Sequence, residues 1–144
     1  MELNKYINAI PRKKCYLGGP ELDGMICTSI SIIYFLLEAV LDDDVYKIEN
    51  EGVGWVFVDL LASNLATEEK PFDVELIDFS YSEYNNLNKQ KIIELLLRLS
   101  LSLNQDQSYN NSNIFFAINV LFAVCDFYGL KLNECIDAEL NGDA

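Results

Sequence analysis

A chain of 144 residues, of which 51% are hydrophobic, has the size of one domain and enough apolar material for a core. Its 10 Lys and Arg against 23 Asp and Glu leave a formal charge of −13, and histidine is absent. That balance disfavours nucleic acid and anionic membranes, which are held chiefly through Lys and Arg, and favours a basic protein as partner.

Residues 1–22 carry Pro11, Gly18, Gly19 and Pro20 and read as an irregular lead-in to a single domain spanning 1–144. Met25–Leu41 is strongly apolar. Its length is at the lower limit for crossing a bilayer, it contains Thr28, Ser29, Ser31 and Glu38, and acids rather than a cleavage site follow it, so the pattern predicts a buried core helix. Asp23 is placed to cap it. Val53–Ala66, Lys89–Leu103 and Asn113–Tyr128 have helical lengths. Leu95, Leu96, Leu99 and Leu103 fall on one helical face, and Gly129 stands where a helix ends in a left-handed residue. A short amphipathic piece, Leu132–Leu140, follows, with Asn133 as its expected cap.

Pro71–Asp78 alternates apolar and acidic residues, which predicts a short strand or an extended connector. Gln105–Ser112, rich in Asn, Gln and Ser, reads as an exposed loop. The fold class expected is therefore all-α: a compact bundle of about five helices with at most a short strand near 71–78. At an offset of 60 residues Ile32, Ile33, Leu36, Leu37 and Leu41 match Ile92, Ile93, Leu96, Leu97 and Leu101, Asn50 matches Asn110, and Leu61 matches Leu121. Such a register suits two stacked helical hairpins.

The residues offer little conventional chemistry. Gly52 and Gly54 are isolated and precede no Lys-Ser/Thr, so there is no phosphate loop. A serine or cysteine nucleophile would lack a histidine base. Cys15, Cys27, Cys125 and Cys135 form no C-x-x-C pair and read as small hydrophobes in a reduced, cytoplasmic protein. No metal, no cofactor and no catalytic residue is expected.

What remains is acidic. Asp42, Asp43 and Asp44 follow the first long helix, with Glu49 and Glu51 close behind. A solvated turn, a protein-binding patch and a metal site are all open readings, although a consecutive triplet lacks the alternating spacing of a calcium loop. Negative charge at a helix C-terminus opposes the macrodipole, so removing it is expected to leave stability unchanged or slightly higher. Asp73, Glu75, Asp78 and Glu83 alternate with aromatic residues that include Tyr81 and Tyr84, a combination suited to an interface. Between Glu38 and Glu83 there are 13 acids against Lys47 and Lys70, so the middle third holds nearly all the excess charge. These eleven residues (Asp42, Asp43, Asp44, Glu49, Glu51, Asp73, Glu75, Asp78, Tyr81, Glu83 and Tyr84) are the expected partner-binding set.

The run from Asn113 through Gly129 to Leu140, with Glu94 upstream, resembles the last helices of the MazG-like all-α nucleoside-triphosphate pyrophosphatases. That resemblance implies Mg²⁺ held by carboxylates on two helices, yet only Glu94 is acidic, and Arg98, Asn113 and Phe116 occupy the other key positions. In size, charge and lack of catalytic motifs the chain also resembles the bacterial toxin-immunity proteins, including those of contact-dependent inhibition systems, and phage-encoded inhibitors such as anti-CRISPR proteins. That likeness implies an acidic protein that blocks a basic toxin domain, such as a nuclease. A divergent pyrophosphatase is the alternative.

Overall fold

The computed structural model describes residues 21–74, 77 and 84–142. Its helices run in the order α1 (Leu22–Leu41), a short α2 (Val45–Lys47), a π-helical stretch (Ile48–Gly52) that leads directly into α3 (Val53–Thr67), α4 (Lys89–Asp106), α5 (Asn111–Tyr128) and α6 (Leu132–Gly142). The four long helices lie where the apolar stretches predict them. The α2–π segment was not legible, because Tyr46-Lys-Ile-Glu-Asn-Glu has no clean apolar period.

The burial pattern follows the composition of each helix. Helices α3 and α5 are apolar on almost every side, and each buries eleven residues. Helices α1 and α4 bury one face: Ile26, Ile33, Leu36 and Val40 in the first, Ile92, Leu95, Leu96, Leu99 and Leu103 in the second. Helix α1 packs on α3 and α4, and α5 packs on α3 and α4. Two hairpins, α1–α3 and α4–α5, are thereby stacked. Along the 60-residue register Leu36 and Leu96 are both enclosed, as are Leu61 and Leu121, and Leu41 and Leu101 are both exposed. Ile33, by contrast, is buried and Ile93 half-buried, and Leu37 is half-buried and Leu97 exposed.

Each long helix needs a stop, and α1 and α5 stop alike. At the end of α5, Gly129 takes φ +70° and the Leu130 N–H donates to the Cys125 carbonyl at 2.8 Å. At the end of α1, Asp43 takes φ +50° and the Asp44 N–H donates to the Ala39 carbonyl at 2.9 Å. The second closure puts an aspartate where glycine is the usual residue.

Three local expectations are corrected. Helix α1 begins at Leu22, so Asp23 lies inside its first turn, where its carboxylate accepts from the Gly24 N–H at 2.9 Å rather than capping from outside. Helix α6 starts its hydrogen bonds at the Lys131 carbonyl, which leaves Asn133 within the helix. The loop after α4 is shorter than the Asn/Gln/Ser composition suggests and is not simply exposed: Tyr109 within it is only 1% exposed.

The described residues contain no strand. Asn64 on α3 supplies the reason for 71–74. Its side-chain carbonyl accepts from the Phe72 N–H at 2.8 Å, and its amide donates to the Tyr109 carbonyl at 2.8 Å and to the Asn111 side chain at 2.9 Å. One buried amide thus ties the post-α3 connector and the α4–α5 loop to the core. The Phe72 donor that a strand would have used is already taken.

Helices α1 and α5 are each long and apolar enough to cross a membrane by length and composition. In the fold both turn a full face onto the shared core.

Candidate functional site

The acidic triplet does not act as a unit. The Asp43 carboxylate accepts from the Lys89 ammonium at 3.0 Å and from the Tyr128 hydroxyl at 2.9 Å. The same two groups reach the end of α1: Lys89 donates to the Leu41 carbonyl at 3.0 Å, and Tyr128 to that of Val40 at 3.2 Å. The helix C-terminus therefore does have a cation, supplied by α4, and the unfavourable placement expected from sequence is offset. Lys89 and then Tyr128 hold the Asp43 carboxyl below the usual carboxylate range. Burial, together with the Asp43 charge, pushes the Tyr128 phenol up. Asp44 caps α2, its carboxylate accepting from the Lys47 N–H at 3.2 Å. Asp42, at the C-cap of α1, is exposed.

Of the other expected contact residues, Glu51 and Asp73 are exposed and Glu49 is half-buried. Tyr84 is half-buried with the Lys91 ammonium 6.0 Å from its ring centre. Glu75, Asp78, Tyr81 and Glu83 lie outside the described residues.

Beyond the triplet the chain forms an open groove of about 800 Å³, lined by Phe35 of α1, Tyr46, Asn50 and Glu51 of the α2–π segment, Trp55 of α3, and Glu139 of α6. Its construction begins with a glycine. A side chain at Gly54 would stand 2.3 Å from the Cys135 carbonyl and 2.6 Å from Glu139 Cβ, so only a bare α-carbon lets α6 lie this close to α3. That approach sets Glu139 beside the groove. The opposite wall is aromatic: Phe35 and Trp55 meet edge to face with centroids 5.6 Å apart. Tyr46 stands beside them, 71% exposed. The Lys47 ammonium lies 6.0 Å from the Phe35 ring centre. Sequence reasoning found Glu51 but not the groove. The only signal was an aromatic residue in each of three separate segments, which nothing in the sequence brings together.

Two further clusters bring polar or thiol side chains together in the core. Ser29 donates to the Asp59 carboxylate at 2.5 Å and shares a 2.7 Å hydrogen bond with the Tyr109 hydroxyl, all three buried. Burial raises the Tyr109 phenol to about 12, and the Asp59 charge adds to this, so at neutral pH it carries its proton. The triad joins α1, α3 and the α4–α5 loop and contains no base for the serine beyond a carboxylate. Cys125 and Cys135 are buried neighbours, and their hydrogen bond together with burial pushes the Cys125 thiol far up, away from the nucleophilic thiolate.

At the positions where the pyrophosphatase resemblance would place carboxylates, the Arg98 guanidinium stacks 5.6 Å from the Phe116 ring centre. Asn113 is spent on the Asp106 carboxylate and the Ser108 carbonyl, at 3.1 and 3.0 Å. Among the described residues no three His, Cys, Asp or Glu side chains converge as metal ligands would. No family model, curated protein or solved structure matches the chain.

Proposed function

We propose that this chain is an acidic binding protein that neutralises a basic protein partner by covering it, as an immunity protein does for its cognate bacterial toxin, and that it works in a reducing cytoplasm. A phage-encoded inhibitor would use the same mechanism on a different target. The observation that carries the reading is the surface from Asp42 to Glu51. A charge-dense turn there presents Tyr46 to solvent beside an aromatic groove, in a chain of net charge −13. Opposite charge speeds the encounter, and a rigid exposed aromatic supplies contact area at low entropic cost.

The test is affinity capture with the full chain from its native cell at low and at physiological salt, followed by assay of the captured protein. A basic protein whose activity falls as the chain is added in equal amount is the expected result. Capture of a basic protein whose activity is unaffected would overturn the neutralising reading. Metal-dependent release of pyrophosphate from nucleoside triphosphates by the purified chain, lost in Glu94→Ala, would replace it with the pyrophosphatase reading.

A further inference from the structure

We infer that the groove between α1, the α2–π segment, α3 and α6 is an arginine-binding site, and that it takes an arginine side chain projecting from the basic partner. This inference rests on the binding-protein reading and says where on the chain that partner is held.

The site combines two features that a guanidinium needs. The first is π surface. Phe35, Trp55 and Tyr46 line one groove, and aromatic faces attract a cation electrostatically, the more so as water is excluded. The second is a carboxylate at the rim. Glu51, exposed at the border of the same space, can accept the guanidinium N–H groups. Arginine fits better than lysine because its flat, weakly hydrated head can stack on a ring while its edge bonds to an acid.

A cation of the chain already stands on one of these rings. Lys47, the nearest cation in sequence, stands over the Phe35 ring at 6.0 Å. Lys47 does not itself line the groove, but its charge stands near enough to oppose an incoming arginine. The groove is also built to persist: the edge-to-face contact of Phe35 with Trp55 fixes one wall, and the close α3–α6 approach over Gly54 fixes the other. The binding site is therefore formed before the partner arrives, which lowers the cost of ordering it.

Trp55 is the sole tryptophan, so its fluorescence reports on this groove alone. The experiment titrates the full chain with acetyl-triarginine amide, and with acetyl-triglutamine amide as a neutral probe, at physiological salt. The expected result is a saturable change in Trp55 emission with triarginine and none with triglutamine. Tyr46→Ala and Glu51→Gln should each weaken binding roughly three- to tenfold. Glu69→Gln removes the same charge from an exposed position fourteen residues beyond Trp55, roughly 20 Å along the α3 direction, and should leave it unchanged. Lys47→Gln should tighten binding more than Lys70→Gln does. Tyr46 and Glu51 are exposed, so both variants fold, and far-UV circular dichroism checks this.

An unchanged titration in Tyr46→Ala, with Glu51→Gln and Glu69→Gln equally weakened, would mean diffuse charge attraction and would overturn the site. The two readings fail separately. Triarginine binding in the groove with no macromolecular partner sinks the neutralising function but not the site. A captured basic partner whose affinity ignores Tyr46→Ala and Glu51→Gln sinks the site but not the function.

Discussion

Asp43 adopts a backbone conformation that a helix end usually gives to glycine, and it does so while carrying a charge. A left-handed aspartate costs about 1 kcal/mol or more, and the Lys89 and Tyr128 bonds hold it there. Asp43→Asn keeps the tolerance for that conformation and removes only the charge. It should therefore lower the melting temperature modestly, contrary to what the helix dipole alone suggests. Since the folded carboxyl titrates below its usual 3.8, its contribution is present above that value and is lost as pH falls through the folded one. Wild type and Asp43→Asn should accordingly converge in thermal melts below pH 3.8.

Tyr109 titrates in the opposite sense. Its phenol is raised to about 12 from 10.0, so the folded state holds the proton more tightly than the unfolded state. The resulting stability is intact below pH 10 and is lost on the way to pH 12, on the order of 2 kcal/mol in all. Tyr109→Phe should remove that alkaline loss. At neutral pH it should cost roughly 1–3 kcal/mol, because Ser29 loses a buried partner. Chemical denaturation at pH 7 and at pH 11 measures both; an alkaline loss equal to that of wild type would show that another group governs it.

Among the elements, α6 depends most on a single residue. Gly54→Ala would gain helix propensity, roughly 1 kcal/mol, on α3. It would also drive a methyl group into the Cys135 backbone carbonyl, which cannot rotate aside. Overpacking of this kind costs about 1–3 kcal/mol, so the variant should be less stable and α6 should lift from α3. Hydrogen exchange is the check, with protection falling in Leu132–Gly142 before it falls in α4. A uniform change across the chain would mean the two helices are not separable in this way. Such a variant should also disturb the groove, because Glu139 travels with α6.

For the molecule as a whole, the proposed function makes the field around residues 42–51 the feature that should govern association with a basic partner. Asp42→Asn and Asp44→Asn together should slow binding to a basic partner by up to about tenfold at low salt and flatten its salt dependence, since exposed charges are screened over about 8 Å. Asp44 also caps α2, so the pair should lose roughly 1 kcal/mol of stability. Tyr46→Ala should act on dissociation instead. Surface binding at two salt concentrations separates these effects, and a dissociation rate that rises with the aspartate pair but not with Tyr46→Ala would exchange their roles.

The helices were legible because each is long enough for its apolar residues to declare a period. Leu95, Leu96, Leu99 and Leu103 had one face to bury whatever lay opposite, and Gly129 ended α5 by a rule that involves only its own backbone. The 60-residue register suggested two stacked hairpins, and α1–α3 and α4–α5 are so arranged. Contacts between residues far apart in the chain were not legible. Lys89 meets Asp43 across 46 positions, Ser29 meets Tyr109 across 80, and Phe35, Tyr46, Trp55 and Glu139 share a groove only because α6 can approach Gly54. Local sequence determines which face of a helix must be buried, since that depends on 3.6-residue spacing. Which side chains then converge depends on how the helices cross and how near they come, and that was settled by packing alone.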